Sequence, residues 1–368
     1  MNKKKILFLG LSAFSQAGGI EKVNKSWLRS LTIINQENPE FKIKAAILLD
    51  DKPDKKYIEK FHFKGFKGRK LLFSIYSILS GFWADTLILS HIHLAPVAWM
   101  IMLLKPKTKL ILHAHGIEVW GNLNAVQQKV IQASTQILAV SHFTKQQLVN
   151  KHQVDENKIA VFPNALDPYF KIPKILDKPN YLLARYQIKP IQKVLLTLAR
   201  LSFTEQYKGY DKIIQLLPEL IKTNQNVVYL IAGKADEKEI IRLKQLVNQY
   251  KVNKYVKFLG FIQEDELIAH YQLADVYVMP SEGEGFGITF IEASACGVPV
   301  LAGNSDGSRD AVISGQTGLL CDPKKPKEIL KTIVDLLNFN QKTIEIQNST
   351  INNYGFKNYA QKIKILLH

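Results

Sequence analysis

Cysteine is nearly absent: the 368 residues hold two, Cys296 and Cys321, with no CxxC pair and no histidine cluster beside either. That excludes a disulfide scaffold, gives no zinc-ligand spacing, and fits a reducing compartment. Glycine and proline, at 20 and 14, are too few for a collagenous or low-complexity chain. With 46% apolar and 22% charged residues the chain can bury large cores, which excludes intrinsic disorder. Long apolar runs are scarce too. Thr86 to Leu104 has the length to cross a bilayer but contains His91, His93 and Pro96, so it is expected to be a strand, a turn and a short buried helix. Met1 to Phe14 begins Lys-rich, turns apolar and leads into Ser15-Gln16-Ala17, in the manner of a secretion signal. Ile6 to Leu9 also reads as a buried first strand entering a glycine turn, and that reading is preferred. No Asp-x-Asp triplet occurs anywhere.

Acidic residues are in the minority, 32 against 49 Lys and Arg, for a net charge of +17. The imbalance is uneven, with 23 basic and 12 acidic residues among the first 170. Lys52 to Lys70 carries eight basic and two acidic residues, interleaved with Tyr57, Phe61, Phe63 and Phe66, and runs into the apolar stretch Leu71 to Trp83. Basic and aromatic side chains next to an apolar segment form the pattern of an interfacial patch on an anionic membrane. The alternative is a solvated Lys-rich loop followed by a core helix. Nucleic acid is not expected as a partner, because no RNP, helix-turn-helix or finger signature accompanies the charge.

The length suggests two domains. From Ile6 on, short Val/Ile/Leu-rich runs alternate with helical patterns: ILFLG, KAAILL, TLILS, KLILHAH, QILAV and KIAVF. Continuous apolar strands separated by helices imply a parallel sheet covered on both faces. Prolines 168, 173, 179 and 190 punctuate a boundary, after which the alternation restarts with KVLLTLAR, VVYLIAG, VKFLG, VYVMP, PVLAG and TGLLCD. The prediction is an α/β chain of two doubly wound domains in tandem, closed by amphipathic helices over about Lys327 to Leu337 and Lys342 to Leu367.

Ligands of such sheets sit beyond the carboxyl ends of the strands. The first such loop, Gly10 to Ile20, ends Gly18-Gly19-Ile20-Glu21 as a helix opens. It is either a phosphate-approaching turn or merely a tight one, and it is not the Gly-x-Gly-x-x-Gly of a dinucleotide site; Asp50 and Asp51 lie too far on for that role. His113 and His115 close KLILHAH on one face, as a ligand pair, a general base or packed histidines, with a polar substrate contact favoured for His115. Arg200 and Lys208 follow VLLTLA and suit a diphosphate or simple surface solvation. The most specific string runs Pro280-Ser281-Glu282-Gly283-Glu284-Gly285-Phe286-Gly287-Ile288-Thr289, then Glu292: a strand end, a glycine-rich acidic loop and a helix start. Its glycines let amides press on an anion while Glu284 and Glu292 reach different parts of one elongated ligand.

These residues resemble the retaining glycosyltransferases of family 4, which have the GT-B fold. The resemblance covers nearly the whole length through Gly18 to Glu21, AVSHFT at Ala139 to Thr144, VFPNALD at Val161 to Asp167, LARL with KG at Leu198 to Gly209, IAGK at Ile231 to Lys234, FLGFI at Phe258 to Ile262, the pair Glu284 and Glu292, and ACGVPVLAG with the later TGLL. It implies two Rossmann-like domains facing a central cleft: residues 1–170 binding acceptor, 171–345 binding a nucleotide sugar, and 346–368 as a C-terminal helix packing back across the domains. It implies that Arg200 and Lys208 hold the donor pyrophosphate, that Glu284 accepts from sugar hydroxyls beside Gly285 and the amides of Phe286, Gly287, Ile288 and Thr289, and that Glu292 holds the ribose. Gly260, Phe261 and Ile262 would form the base edge, Gly18 and Gly19 would lie near the phosphates, and His115 would approach the reacting sugar. Ala199 departs from the glycine many members carry before the arginine. The implied activity is metal-independent hexosyl transfer, with no cofactor, from a UDP-sugar in preference to a GDP-sugar. The acceptor would be a glycan or lipid-linked acceptor of cell-surface polysaccharide or glycolipid synthesis, at the cytoplasmic face of a membrane. The alternatives are a sugar-nucleotide epimerase or phosphorylase of the same fold, or a silent nucleotide-sugar or nucleic-acid binding protein.

Overall fold

A computed structural model describes residues 4–224, 226–339 and 343–368. The first residues of the signal-like segment and Lys342, the expected start of the last helix, lie outside the described residues. Two compact units emerge: Met1–Tyr169 with Tyr354–His368, and Phe170–Asn353.

The N-terminal unit runs β1 (Lys4–Gly10), α1 (Gly19–Glu37), β2 (Phe41–Ile47), β3 (Phe63–Gly65), α2 (Lys70–Trp83), β4 (Thr86–Leu89), α3 (Ala95–Leu104), β5 (Lys109–Ala114), α4 (Ile117–Trp120), α5 (Ala125–Ala133), β6 (Gln136–Ala139), α6 (His142–His152) and β7 (Ile159–Val161). Its seven strands are all parallel in the order β3-β2-β1-β4-β5-β6-β7. The order reverses between β1 and β4. Leu7, Leu9, Leu87, Leu89 and Leu112 meet α2, α3 and α5 in one continuous core, as an apolar-on-both-faces strand requires. The signal-like segment is the central strand β1, and Thr86 to Leu104 resolves into β4, a turn and α3. Among the described residues no helix is long and apolar enough to cross a membrane.

The C-terminal unit runs α7 (Asn180–Arg185), β8 (Lys193–Leu198), α8 (Tyr210–Thr223), β9 (Val227–Ala232), α9 (Glu237–Gln249), β10 (Val256–Gly260), α10 (Leu267–Leu273), β11 (Val276–Met279), α11 (Ile288–Ala295), β12 (Val300–Gly303), β13 (Gly318–Cys321), α12 (Pro326–Leu337) and α13 (Thr343–Tyr354). The strand order is β10-β9-β8-β11-β12-β13, again parallel, reversing between β8 and β11. Its core joins Leu195, Tyr229, Ile231, Val278 and Leu301 to α8 and α12.

Three expectations need correction. The single last helix is two, because the chain turns extended at Gly355 (φ −65°, ψ 142°) between α13 and α14 (Phe356–Leu367). α14 returns to the N-terminal unit, where Lys364 meets Glu37 at 2.8 Å and Tyr359 packs on Phe162. Strand β3 was not anticipated, since three residues at a sheet edge carry almost no pattern. Of the aromatics in the basic segment, Tyr57, Phe63 and Phe66 are buried and only Phe61 is exposed, at 75%. The first three are anchors for β3 and α2, against Phe14 and Phe73.

The strand ends of the second sheet are tied by close backbone contact. Gly233, at φ +137°, donates its N–H to the Gly260 carbonyl at 2.7 Å, and a Cβ there would sit 1.7 Å from the Ala199 carbonyl oxygen. Gly260, at φ +71°, faces open space. Gly233→Ala should therefore cost well beyond the roughly 1 kcal/mol of a strained φ alone, while Gly260→Ala should cost about that amount. Urea denaturation of both variants checks this, and equal losses would contradict the packing.

Candidate active site

In the second sheet the loops after β8 and β11 leave from the point where strand order reverses, so no crossover helix separates them. They pack backbone to backbone. Gly209, at φ +74°, leaves so little room that a Cβ would come within 2.4 Å of the Pro280 carbonyl oxygen, and the Glu282 N–H donates to the Tyr207 carbonyl at 2.8 Å. That contact delivers Lys208 to Glu284: its Nζ donates to Oε1 at 2.6 Å and lies 3.8 Å from Glu205 Oε2. Lys208 is only 13% exposed. Burial by itself would lower its pKa, but the adjacent Glu284 carboxylate, Tyr207 and the hydrogen bond outweigh burial and hold the ammonium above its ordinary value. Arg200, at the tip of β8, is 72% exposed and pairs with Glu205. Arg200, Lys208 and Glu284 are thus brought together, through Glu205.

The Glu284 loop is anchored from below by Asp306. Its Oδ2 accepts from the Glu284 N–H at 2.7 Å and the Ser281 hydroxyl at 2.8 Å, and its Oδ1 from the Ser308 N–H at 2.9 Å and the Ser308 hydroxyl. Burial pushes this carboxyl up to about 6 against those hydrogen bonds. Gly287, at φ +85°, then starts α11, beside buried Phe286 and Ile288. Thr289 stands half-buried in the first turn of α11. Glu292 is 1% exposed and accepts from the Tyr271 hydroxyl at 2.9 Å. The two carboxylates of the motif therefore hold separate partners. Gly260 reaches the group through Gly233, Phe261 is exposed and Ile262 is half-buried. Gly285 is half-buried in the loop.

In the first sheet, the loops after β1 and β4 occupy the corresponding reversal. Asp50 collects the N–H groups of Ala13, Phe14 and Ser15, each at 3.0 Å, together with the Ser15 hydroxyl at 2.6 Å. Those amides already hold an anion of the chain's own. Gly18 is extended and caps α1, next to Gly19, with the Glu21 carboxylate packed over it.

Four histidines gather at the ends of β4 and β5. His113 is fully buried, and its Nδ1 accepts from Trp27 Nε1 at 2.8 Å. His115 stacks on it at 4.5 Å between centroids and donates from Nε2 to the Ser90 carbonyl at 2.7 Å. Its Nδ1 is then an acceptor, and it is buried without a partner among the described residues. His91 lies tilted at 45° to His93, with 4.5 Å between ring centroids. Burial lowers His91 and His115 to about 4 and His113 well below its ordinary value, so these rings are neutral at physiological pH. Burial also raises Glu118, which accepts the His115 N–H at 2.6 Å. Among the described residues no group of three or more His, Cys, Asp or Glu is disposed to hold a metal ion.

Sequence reasoning missed Glu205, Asp306 and Glu118, and it dismissed Asp50 as too far on to be a ribose ligand without giving it another role. Asp306-Gly307-Ser308 is a turn signature that marks a side chain able to bond nearby amides, but its bond to Glu284, 22 residues away, has no local signal.

The model of the family described as Glycosyl transferases group 1 matches residues 183–354, and that of Glycosyltransferase Family 4 matches 53–170. An uncharacterized glycosyltransferase of Methanocaldococcus jannaschii is 29% identical over 227 residues, 59% of this chain and 57% of its own. A GDP-mannose-dependent alpha-(1-6)-phosphatidylinositol monomannoside mannosyltransferase of Mycobacterium tuberculosis is 36% identical over 148 residues, 38% of each chain. The matches thus span about half or less of these relatives' length. The structure of Anabaena HepE in complex with UDP and glucose superposes with a TM-score of 0.76 over 99% of both chains at 18% identity. Two doubly wound parallel-sheet units of this order give the GT-B fold. The chain belongs to the group 1 glycosyltransferases of family 4.

The histidine cluster gives a stability signature. For a histidine whose folded pKa is lowered from 6.5 to about 4, the folded state resists the proton that the unfolded chain accepts. The contribution of His91 and His115 is complete above pH 6.5 and is lost as pH falls from there towards 4. Urea midpoints measured at pH 7, 6 and 5 should fall steadily, and His91→Gln should flatten the slope; a pH-independent midpoint would contradict the buried neutral rings.

Proposed function

We propose that the chain transfers a hexose, with retention of configuration and without a metal ion, from a nucleoside diphosphate sugar to a glycan or lipid-linked acceptor. The observation that carries this reading is the Lys208–Glu284 pair at 2.6 Å, buried where the loops after β8 and β11 touch. Breaking a glycosyl phosphate leaves negative charge on the departing diphosphate. A fixed ammonium in a water-poor site stabilises that charge more than the same group in water would. Lys208 supplies a point charge already aimed by the loop, and Arg200, exposed at the strand tip, supplies a planar fork for a second pair of phosphate oxygens. Each cation is paired with a carboxylate of its own unit, so a diphosphate exchanges one anion for another and frees Glu284 to accept from sugar hydroxyls.

The remaining roles follow the same logic. Gly287 opens α11 with its amides toward a phosphate, and Glu292, Gly260, Phe261 and Ile262 take the nucleoside. His115, neutral with a bare Nδ1, is an acceptor for a sugar hydroxyl rather than an acid. The relative named for GDP-mannose and the neighbour named with UDP support a nucleotide sugar donor, and UDP is the base we favour. The phosphatidylinositol mannoside for which the mannosyltransferase is named supports a lipid-linked acceptor, and the cytoplasmic face of the membrane is the location we favour.

Lys208→Ala and Arg200→Ala should each lower turnover on the matching sugar nucleotide about a hundredfold to a thousandfold while leaving the circular dichroism spectrum unchanged. Wild-type turnover should persist in excess chelator. Full activity in Lys208→Ala, or its loss on chelation in the wild type, would contradict the assignment.

A further inference from the structure

Helix α2 is built inside out. Its buried positions include Ser77, Ser80 and Gly81 beside Phe73, whereas Leu71, Leu72, Ile75, Leu79 and Phe82 are exposed, Leu71 to 74%. At about 100° per residue these five fall within one sector of about 100°. The small buried residues have a clear use: a Cβ on Gly81 would lie 2.6 Å from Ile101, so α3 packs tightly against this side of α2. The apolar side is left facing outward. α3 extends it with exposed Met100, Leu103 and Leu104 and carries no charged residue along its length. Contiguous exposed apolar surface of this kind marks an interaction site, not the scattered single residues normal on any protein.

Charge selects what covers it. Lys64, Arg69 and Lys70 stand exposed at the amino end of α2, with Lys67 beside them paired to Asp51 at 3.0 Å, and Lys107 and Lys109 stand exposed beyond α3. Between Lys60 and Ile117 the sequence contains one acidic residue, Asp85, and Lys105 neutralises it at 3.6 Å. An apolar centre with a predominantly basic rim is complementary to hydrocarbon under anionic headgroups. A second copy on the same face would bring one basic rim against another, in a chain of net charge +17. Nucleic acid would leave the apolar centre unsatisfied.

We infer that the α2–α3 face of the N-terminal unit docks on an anionic lipid bilayer, with the leucines of both helices entering the interface and the flanking lysines meeting the headgroups. The face lies on different residues from the donor loops, and docking requires no nucleotide.

The test is flotation of the full chain with vesicles of phosphatidylcholine and phosphatidylglycerol in equal amounts, and with phosphatidylcholine alone, in parallel with sedimentation to fix the oligomeric state. The wild type should float with the anionic vesicles and at least tenfold less with the neutral ones. Leu72→Glu with Leu79→Glu, both at exposed positions, should lower the partition at least tenfold without changing the melting temperature. Arg69→Glu with Lys70→Glu should do the same through charge alone. Absence of flotation with either vesicle, wild-type flotation of the Leu72→Glu/Leu79→Glu variant, or a wild-type dimer that this variant converts to monomer would overturn the inference. No nucleotide or acceptor enters the assay, so its failure leaves the donor reading standing.

Discussion

Everything at the candidate donor site depends on the loops after β8 and β11 being allowed to touch. A parallel sheet whose strand order reverses has no crossover helix over that junction, so the two loops must satisfy one another. Here Gly209 presses on the Pro280 carbonyl and Glu282 bonds the Tyr207 carbonyl. Only that backbone contact brings a lysine and a glutamate 76 residues apart to 2.6 Å. A side chain at residue 209 would separate them by the width of a methyl group, enough to break a charge-assisted hydrogen bond.

The same device serves both sheets. At each reversal a buried aspartate from the neighbouring strand's loop collects donors from the critical turn: Asp50 holds the amides of Ala13 to Ser15, and Asp306 holds the Glu284 amide and two serines. Buried carboxylates are costly unless several donors converge on them, and this convergence fixes the turns. The difference lies in what remains. In the first sheet the aspartate takes the loop amides themselves, and His115 Nδ1, His113 Nε2 and Ser90 Oγ are among the buried polar atoms left without a partner among the described residues. In the second, Asp306 works from behind, so Lys208 is left to pair with Glu284 while Arg200 stays exposed at the strand tip.

Most of the fold was legible in the sequence because buried parallel strands announce themselves as continuous apolar runs between helical patterns. β3 escaped because three edge residues have no period, and the last helix was read as one because Gly355 interrupts an otherwise unbroken amphipathic pattern. Arg200, Lys208 and Glu284 were legible through local strings. Their supports were not: Asp306 reaches the Glu284 amide through a tertiary contact that leaves no mark on neighbouring sequence, and Glu205, although close in sequence to Arg200 and Lys208, carries no motif of its own. The inside-out face of α2 was half legible. Periodicity shows that a helix has an apolar side, but which side meets the protein was decided by Gly81 against Ile101.

The most direct test of the central claim is calorimetric titration of the wild-type chain with UDP, GDP and the corresponding monophosphates, in chelator throughout. A cation pair fixed on a diphosphate predicts tight binding of one nucleoside diphosphate, markedly weaker binding of its monophosphate, and no change when magnesium replaces the chelator. Equal affinity for diphosphate and monophosphate, or binding only with the metal, would contradict it.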